Sequence, residues 1–295
     1  MKIKWLVQDI GKTVMLNDNF GTLKELSYLY QGFGLIEGSN FISNIENILN
    51  DLDEKYIIRG GTKIISLLEN FDNLESISQN LNSFQSEHSS IFLQKIKDGV
   101  FYNSTSFDQA FYNTLDLPLL NKEAFFLPIK NHKETTFDLP YFIKPSQDLK
   151  TFIPGIIQPG QSIQNFIENS QHHKNYDHEL ALISPLKHIL KEYRFFVINE
   201  KVITGSQYKN GDKVEYNSFI PENILKTAQE YSKLYQPHDV FTMDLAETDK
   251  GIKIVEYNCW NGSGLYFSDK KLLFKEVQDY IINAPTQCIE MKNKM

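Results

Sequence analysis

The sequence predicts an α+β protein of two lobes, and three observations support this prediction. The 295 residues suffice for two hydrophobic cores, and 41% of them are hydrophobic against 23% charged, as in folded globular proteins. The amino-terminal part alternates strand, helix and strand patterns, which is typical of an α/β unit. The carboxyl-terminal part contains strand patterns joined by short polar turns, which favours antiparallel hairpins. We therefore expect an α/β domain at 1–116 and an α+β domain at 117–295.

The first predicted domain begins with a strand and continues with helices. Ile3–Val7 and Tyr56–Arg59 have the apolar character of buried strands. Helical periodicity is found at Thr22–Gln31 and at Asn40–Leu52. Gly60-Gly61 directly follows the second strand pattern and favours a turn there.

The second predicted domain contains six strand patterns and three helix patterns. The strands are expected at Tyr141–Lys144, Leu180–Ile183, Arg194–Ile198, Lys201–Gly205, Val240–Ala246 and Ile252–Tyr257. The helices are expected at Ser162–Glu168, Glu222–Leu234 and Lys270–Ile282. Short turns between consecutive strands favour antiparallel pairing.

Composition excludes several classes of function. The net charge of −7 argues against broad binding to the phosphate backbone of nucleic acid. No apolar run approaches the roughly 20 residues that would span a membrane, and the first residues do not resemble a signal peptide. The two cysteines, Cys259 and Cys288, form no CxxC pair, which argues against a disulfide framework or a structural zinc site. A cytoplasmic protein is expected.

An acidic pair lies on the hairpin predicted near residue 250. Its turn ends in a glycine, which can adopt positive φ. If Asp249-Lys250-Gly251 is a three-residue loop, Asp244 lies directly opposite Glu256, and Thr242 lies opposite Asn258. All four side chains then share one face of the hairpin.

A bound divalent cation would explain this acidic pair. Two carboxylates ~5 Å apart repel by roughly 3 kcal/mol at an effective dielectric constant of ~20. A bare pair would therefore be costly, or would share a proton. The carboxylates of Asp244 and Glu256 with the amide oxygen of Asn258 are ligands that Mg²⁺ accepts. A solvent-facing hairpin with hydrated acids is the alternative.

Basic side chains lie at two of the predicted strands. Lys144 ends a strand that Pro145 holds extended, and Lys150 follows in the next loop. A lysine at a strand end binds phosphate as a point charge, although a solvated lysine is the alternative. Alternation places Glu192 and Arg194 on one face of their strand, where Arg194 would contact phosphate or form a surface ion pair.

Four passages, in this order, resemble the ATP-grasp superfamily, and more closely an uncharacterised clade noted for one Arg and two Lys around the phosphates. They are Phe142-Ile143-Lys144-Pro145 with Lys150-Thr151-Phe152, Glu192-Tyr193-Arg194-Phe195-Phe196-Val197, Gly205-Ser206-Gln207-Tyr208, and Asp244-Leu245-Ala246 with Val255-Glu256-Tyr257-Asn258. The likeness covers approximately Leu117–Ile282. It implies an ATP-grasp fold, in which two α+β subdomains grip ATP, preceded by a smaller α/β domain.

The resemblance also implies roles for individual residues. The side chains expected to bind ATP are Lys144 at the α and β phosphates, Lys150 from the following loop, Ser184 and Leu186 at the adenine, and Glu192 at the ribose. The expected ligands of Mg²⁺ are Asp244, Glu256 and Asn258. Arg194 and Lys150 are expected to act in catalysis, with Arg194 stabilising charge on the transferred phosphoryl group. The glycine-containing turn at Asn261–Leu265 is expected to border the substrate.

The activity implied is an ATP-dependent, ADP-forming ligation. A substrate carboxylate would become an acyl phosphate and would then be joined to an amine, with amino acids or peptides among the expected substrates. Two alternatives remain open: an ATP-dependent phosphotransferase, and a nucleotide-binding module without turnover. ATP, the carboxylate or peptide and the amine are the expected partners, and neither nucleic acid nor a membrane is expected.

Overall fold

The computed structural model describes residues 2–8, 14–33, 54–61, 96–148, 151–169 and 176–283. Two predictions lie outside these residues, namely the helix at Asn40–Leu52 and the position of Lys150. Helices and strands are numbered along the described residues. None of the described helices is long and apolar enough to cross a membrane.

Twelve strands and six α-helices occur in the described residues. The strands are β1 (Lys2–Gln8), β2 (Leu29–Phe33), β3 (Glu54–Arg59), β4 (Phe125–Pro128), β5 (Tyr141–Pro145), β6 (Gly155–Ile157), β7 (Leu180–Pro185), β8 (Ile189–Ile198), β9 (Lys201–Asn210), β10 (Lys213–Asn217), β11 (Val240–Thr248) and β12 (Gly251–Cys259). The α-helices are α1 (Val14–Glu25), α2 (Gln109–Tyr112), α3 (Ile129–His132), α4 (Ile163–Glu168), α5 (Glu222–Tyr231) and α6 (Lys270–Asn283). Short 3-10 helices lie at Lys97–Gly99 and Trp260–Gly262.

The chain divides into two compact units. One comprises Met1–Phe101 together with Asp269–Met295, and the other comprises Tyr102–Ser268. Compact packing does not test which segments fold independently. The division into domains at 1–116 and 117–295 therefore stays a prediction.

The first unit contains a parallel sheet in the order β2-β1-β3. The strands predicted at Ile3–Val7 and Tyr56–Arg59 are confirmed. The helix predicted at Thr22–Gln31 is wrong in its placement, because α1 ends at Glu25 and Ser27 adopts a φ of 56°. The residues that follow form β2, whose pairing with β1 overrides the local helical periodicity.

The second unit contains two antiparallel sheets, in the orders β4-β7-β5-β6 and β10-β9-β8-β11-β12. The three residues 186–188 connect β7 of the first sheet to β8 of the second. All six predicted strands of this region are confirmed, as is the helix at Ser162–Glu168. The predicted helix at Glu222–Leu234 exists but ends at Tyr231, and the helix predicted at Lys270–Ile282 is confirmed as α6 of the first unit.

Each sheet of the second unit covers its own hydrophobic core. In the five-stranded sheet, β8 is buried on both faces from Tyr193 to Ile198. The side chains of Tyr193, Phe195 and Val197 belong to the core beneath this sheet. Alternation along the strand therefore turns Glu192 and Arg194 to the opposite face, which is buried as well.

Candidate active site

A row of four side chains crosses the five-stranded sheet. Ser206 of β9 pairs with Arg194 of β8, Arg194 with Asp244 of β11, and Asp244 with Glu256 of β12. Directly opposed residues of antiparallel strands share a face. The predicted pairing of Asp244 with Glu256, and that of Thr242 with Asn258, is confirmed.

The turn that precedes this register differs from the prediction. Thr248 pairs with Gly251, so the loop contains two residues rather than three. A β-bulge at Val255 then adds one residue to β12, and this residue restores the predicted pairing at Asp244. Gly251 adopts a φ of 95°, as the turn pattern predicts.

Arg194 and Asp244 form a buried, two-pronged ion pair. Nε of Arg194 donates to Oδ1 of Asp244 at 2.8 Å, and Nη2 donates to Oδ2 at 2.7 Å. Asp244 is 1% exposed and Arg194 is 8% exposed. Burial lowers the pKa of Arg194, but the charge of Asp244 outweighs burial and raises that pKa well above its usual value. A hairpin with hydrated acids is therefore excluded for Asp244.

A second ion pair joins the two sheets. Nζ of Lys144, at the end of β5, donates to Oε2 of Glu256 on β12. Nδ2 of Asn258 donates to Oε1 of the same carboxylate at 3.1 Å. Burial raises the pKa of Glu256, but the charge and hydrogen bond of Lys144 outweigh burial and lower it to about 2. The bare acidic pair expected from the sequence is therefore not found, because each acid has its own basic partner.

A cavity of about 60 Å³ lies beside the second ion pair. It is lined by Phe107, Tyr112, Lys144, Pro145, Ser146, Gln147, Asp148, Pro154, Glu256, Tyr257 and Asn258. Oδ2 of Asp148 accepts a hydrogen bond from the backbone N–H of Cys259 at 3.0 Å, which ties the loop after β5 to the end of β12.

Two further acids hold the loop after Lys144. Ser146 Oγ donates to Oδ1 of Asp108 at 2.6 Å, and Thr151 Oγ1 donates to Oε2 of Glu179 at 3.1 Å. Burial raises the pKa of Glu179 to about 7, against the effect of these hydrogen bonds. Sequence analysis assigned no role to Asp108, Asp148 or Glu179. Of these three acids, only Asp148 could have been found from the sequence, because it lies in the loop between Lys144 and Lys150.

The remaining predicted ATP-binding residues take part in neither ion pair. Glu192 accepts hydrogen bonds from Tyr208 Oη at 2.6 Å and from Lys209 Nζ at 2.8 Å. Ser184 Oγ donates to Oδ1 of Asn121 at 3.0 Å, and Leu186, 45% exposed, follows the last residue of β7. The nucleotide-binding roles of these residues stay predictions, as does that of Lys150.

The side-chain oxygen atoms on this face are of the kind that bind a magnesium ion. Asp244 and Glu256 face each other in register, and Asn258 lies two residues further along β12 on the same face. Within the described residues, no group of three or more His, Cys, Asp or Glu side chains is placed to hold a metal ion. A hard cation bound by two carboxylates and one amide would complete its shell with phosphate and water.

A comparison with models of known protein families assigns the chain to one family. A family model described as the ATP-grasp domain, R2K clade family 2, matches residues 123–275. The chain belongs to this ATP-grasp family. The matched range includes both ion pairs and Asn258, and the ATP-grasp fold predicted from the sequence is confirmed. No match was found among curated proteins.

Two solved structures with TM-scores above 0.5 have a fold similar to that of this chain. D-alanine–D-alanine ligase from Bacillus anthracis in complex with ATP is 13% identical, with a TM-score of 0.56 and 96% of each chain covered. Another structure of the same ligase, 12% identical, gives a TM-score of 0.53 over 96% of each chain. The ATP-grasp ligase PsnB in complex with a precursor peptide and AMPPNP is 12% identical, with a TM-score of 0.45, covering 87% of this chain and 88% of PsnB.

Proposed function

We propose that this R2K-clade ATP-grasp protein is an ADP-forming ligase that joins a carboxylate to an amine. One observation carries the proposal: two ion pairs, Lys144 with Glu256 and Arg194 with Asp244, have their acids side by side on one face of the five-stranded sheet. Two cationic side chains that can bind phosphate thus lie next to two carboxylates that can bind a metal ion.

The ion pairs suggest how Mg·ATP enters without leaving a buried charge unpaired. In the ligand-free protein, Lys144 and Arg194 neutralise the two acids. Binding of Mg·ATP would let the acids turn to the metal ion while the two cations turn to phosphate oxygens. Because every charge keeps a partner, the desolvation penalty of an unpaired buried ion is avoided.

The metal would be held by Asp244, Glu256 and Asn258. When bound, Mg²⁺ neutralises phosphate charge and polarises the transferred phosphoryl group. Lys144 would bind the α and β phosphates, and Lys150 would approach them from the following loop. Ser184 and Leu186 would contact the adenine at the connection between the two sheets, and Glu192 would contact the ribose, in exchange for one of its present partners.

The reaction would proceed in two steps. A substrate carboxylate oxygen attacks the γ-phosphorus, the bond to the β-phosphate oxygen breaks, and ADP leaves. The amine nitrogen then attacks the carbonyl carbon of the acyl phosphate, phosphate leaves, and the proton of the amine passes to solvent. Arg194 would stabilise the charge that develops on the transferred group in the first step.

Amino acids and short peptides are the proposed substrates, and the cytoplasm is the proposed location.

A screen for acceptor-dependent release of ADP tests this proposal. The full chain is incubated with Mg·ATP and pools of amino acids and short peptides, and ADP, AMP and phosphate are measured. Release of ADP and phosphate that requires both a carboxylate and an amine supports ligation. Stable phosphorylated product without an amine indicates a phosphotransferase, and ATP binding without any product indicates a binding module.

Arg194→Lys is the informative variant for this screen, because lysine retains the charge but loses the planar fork. We expect the rate of ADP release to fall more than ATP affinity falls. Equal losses in both would assign Arg194 to binding of the ground state.

A further inference from the structure

Four aromatic rings form a continuous stack beside the proposed site. The centroids of Tyr208 and Tyr266 are 5.1 Å apart with an interplanar angle of 24°. Tyr266 also stacks on Tyr216 at 5.4 Å, and Tyr216 stacks on Phe267 at 5.6 Å. The rings come from β9, from β10 and from the segment after the 3-10 helix at Trp260–Gly262.

Arg194 lies at the inner end of this stack. Its Cζ is 4.8 Å from the ring centroid of Tyr266 and 5.7 Å from that of Tyr208, both within cation–π range. At the edge of the guanidinium, Asp244 accepts from Nε and Nη2, and the carbonyl oxygen of Gly264 accepts from Nη1 at 3.4 Å. Within the described residues, three of the five N–H groups of Arg194 thus donate hydrogen bonds, and two remain for a ligand.

The backbone of Tyr266 adopts a conformation that bulky residues avoid. Its φ is 46°, in the left-handed region that favours glycine. The positive φ falls on Tyr266 although Gly264 is only two residues away, and Gly264 does not adopt one. Such strain persists only where surrounding contacts hold it, and it is concentrated at functional sites. The backbone N–H and Oγ of Ser268 donate to the carbonyl oxygen of Leu265 and close a turn around Tyr266. The ring of Tyr266 contacts Tyr208, Tyr216 and Arg194.

We propose that Tyr266 is a positioning residue, whose ring fixes the plane of the Arg194 guanidinium so that its N–H groups face the transferred phosphoryl group. The phosphoryl part of this inference rests on the proposed function, whereas the positioning of Arg194 does not. The required part is the ring and not the hydroxyl group, since the cation–π contact is made by the ring face. The two outer rings, Tyr216 and Phe267, support the stack without contacting Arg194.

Two replacements separate positioning from a merely structural role. Tyr266→Asn removes the ring but suits the left-handed backbone, so the variant should fold without the strain. Tyr266→Phe keeps the ring and removes the hydroxyl group. Phe267→Leu is the matched control, since it removes the outermost ring of the same stack, which is 58% exposed.

The first readout does not depend on any activity. The chain contains only two arginines, Arg59 and Arg194, so selective ¹⁵N labelling gives two Nε–H signals, which Arg59→Lys assigns. We expect Tyr266→Asn to shift the Arg194 signal, because the ring current is lost, and to speed its exchange with water. Tyr266→Phe and Phe267→Leu should preserve the signal.

The second readout is the rate of ADP release with an active substrate pair. Tyr266→Asn should lower kcat about tenfold or more while the KM for ATP changes less than about threefold, since the lost interaction acts in the transition state. Tyr266→Phe should restore kcat to within about twofold of the wild type. An unchanged Arg194 signal in Tyr266→Asn, or a Tyr266→Phe variant as damaged as Tyr266→Asn, would overturn the inference. If no substrate pair releases ADP, the proposed function fails, and the rate at which the Arg194 Nε–H exchanges with water still decides whether Tyr266 positions Arg194.

Discussion

Lys144 and Glu256 form an ion pair that links the end of β5 in the four-stranded sheet to β12 of the five-stranded sheet. This pair is the charged contact between the two layers that are expected to grip the nucleotide. Under the proposed function, ATP would exchange this contact for its own. The stability of the ligand-free protein and its affinity for ATP would then be coupled through the same two side chains.

The first prediction concerns Glu256→Gln in the metal-free protein. The folded-state pKa of Glu256 is lowered from 4.5 to about 2, so its stabilising contribution is present above pH 4.5 and is lost as pH falls toward 2. The substitution should cost about 3 kcal/mol at pH 7 and progressively less at acidic pH. Chemical denaturation at several pH values measures this. A bare acidic pair would give the opposite sign, so a stabilised variant at pH 7 would refute the pairing with Lys144.

The second prediction concerns Glu179→Gln. Burial raises the folded-state pKa of Glu179 from 4.5 to about 7. Its contribution to stability is therefore greatest below pH 4.5 and is lost as pH rises through 7. The variant should be about 3 kcal/mol more stable, relative to wild type, at pH 8.5 than at pH 4.

Denaturant midpoints of the two proteins at pH 4 and pH 8.5 provide the comparison. Glu230→Gln, at an exposed position of α5, serves as the control and should show no such difference. A Glu179→Gln effect that is the same at both pH values would mean that folding does not raise the pKa of Glu179.

The third prediction concerns Gly205 on β9. A Cβ there would lie 2.6 Å from the carbonyl oxygen of Arg194 and 2.7 Å from Cδ1 of Phe195. Gly205→Ala should therefore displace the backbone of β8 and destabilise the protein by about 1–3 kcal/mol. Gly21→Ala in α1, where an added Cβ meets nothing within 4 Å, should be neutral or stabilising. Thermal melts of both variants test the contrast, and equal melting temperatures would contradict the close approach of the strands.

The fourth prediction concerns Lys144→Met. Loss of the ammonium group leaves Glu256 without its cation, so the ligand-free protein should lose about 2–3 kcal/mol at pH 7. The exposed ion pair of Lys275 with Asp279 on α6 offers a control, since Lys275→Met should cost less than about 1 kcal/mol. ATP affinity, measured by calorimetry, should fall at least about tenfold for Lys144→Met and remain unchanged for Lys275→Met. Unchanged affinity in Lys144→Met would remove this residue from the site.

Local patterns in the sequence predicted most of the second unit. Period-two alternation around Arg194 and the hairpin near residue 250 located four of the five strands of the larger sheet. The register at Asp244 was predicted correctly, although the assumed turn was one residue too long and the bulge at Val255 compensated for it. The prediction of a helix at Thr22–Gln31 was wrong, because Leu29–Phe33 pair with β1, which is distant in the sequence.

The partners of the acids could not be predicted in the same way. Lys144 and Glu256 are 112 positions apart, and Ser146 and Asp108 are 38 apart. No periodic pattern in a single sequence records such distant contacts. The elevated pKa of Glu179 likewise depends on burial by segments far away in the chain. The positive φ of Tyr266 left no signal either, since glycine and not tyrosine is the residue type that favours this region.

The dependence of ATP binding on Mg²⁺ tests the central claim most directly. Isothermal titration of the full chain with ATP, with Mg²⁺ or with EDTA, compares the wild type with Glu256→Gln. If the acids turn to the metal as Lys144 and Arg194 turn to phosphate, Mg²⁺ should raise wild-type affinity at least about tenfold and that of the variant less than about threefold. Equal gains in both proteins, or no binding of ATP by the wild type, would contradict the exchange of ion pairs at this site.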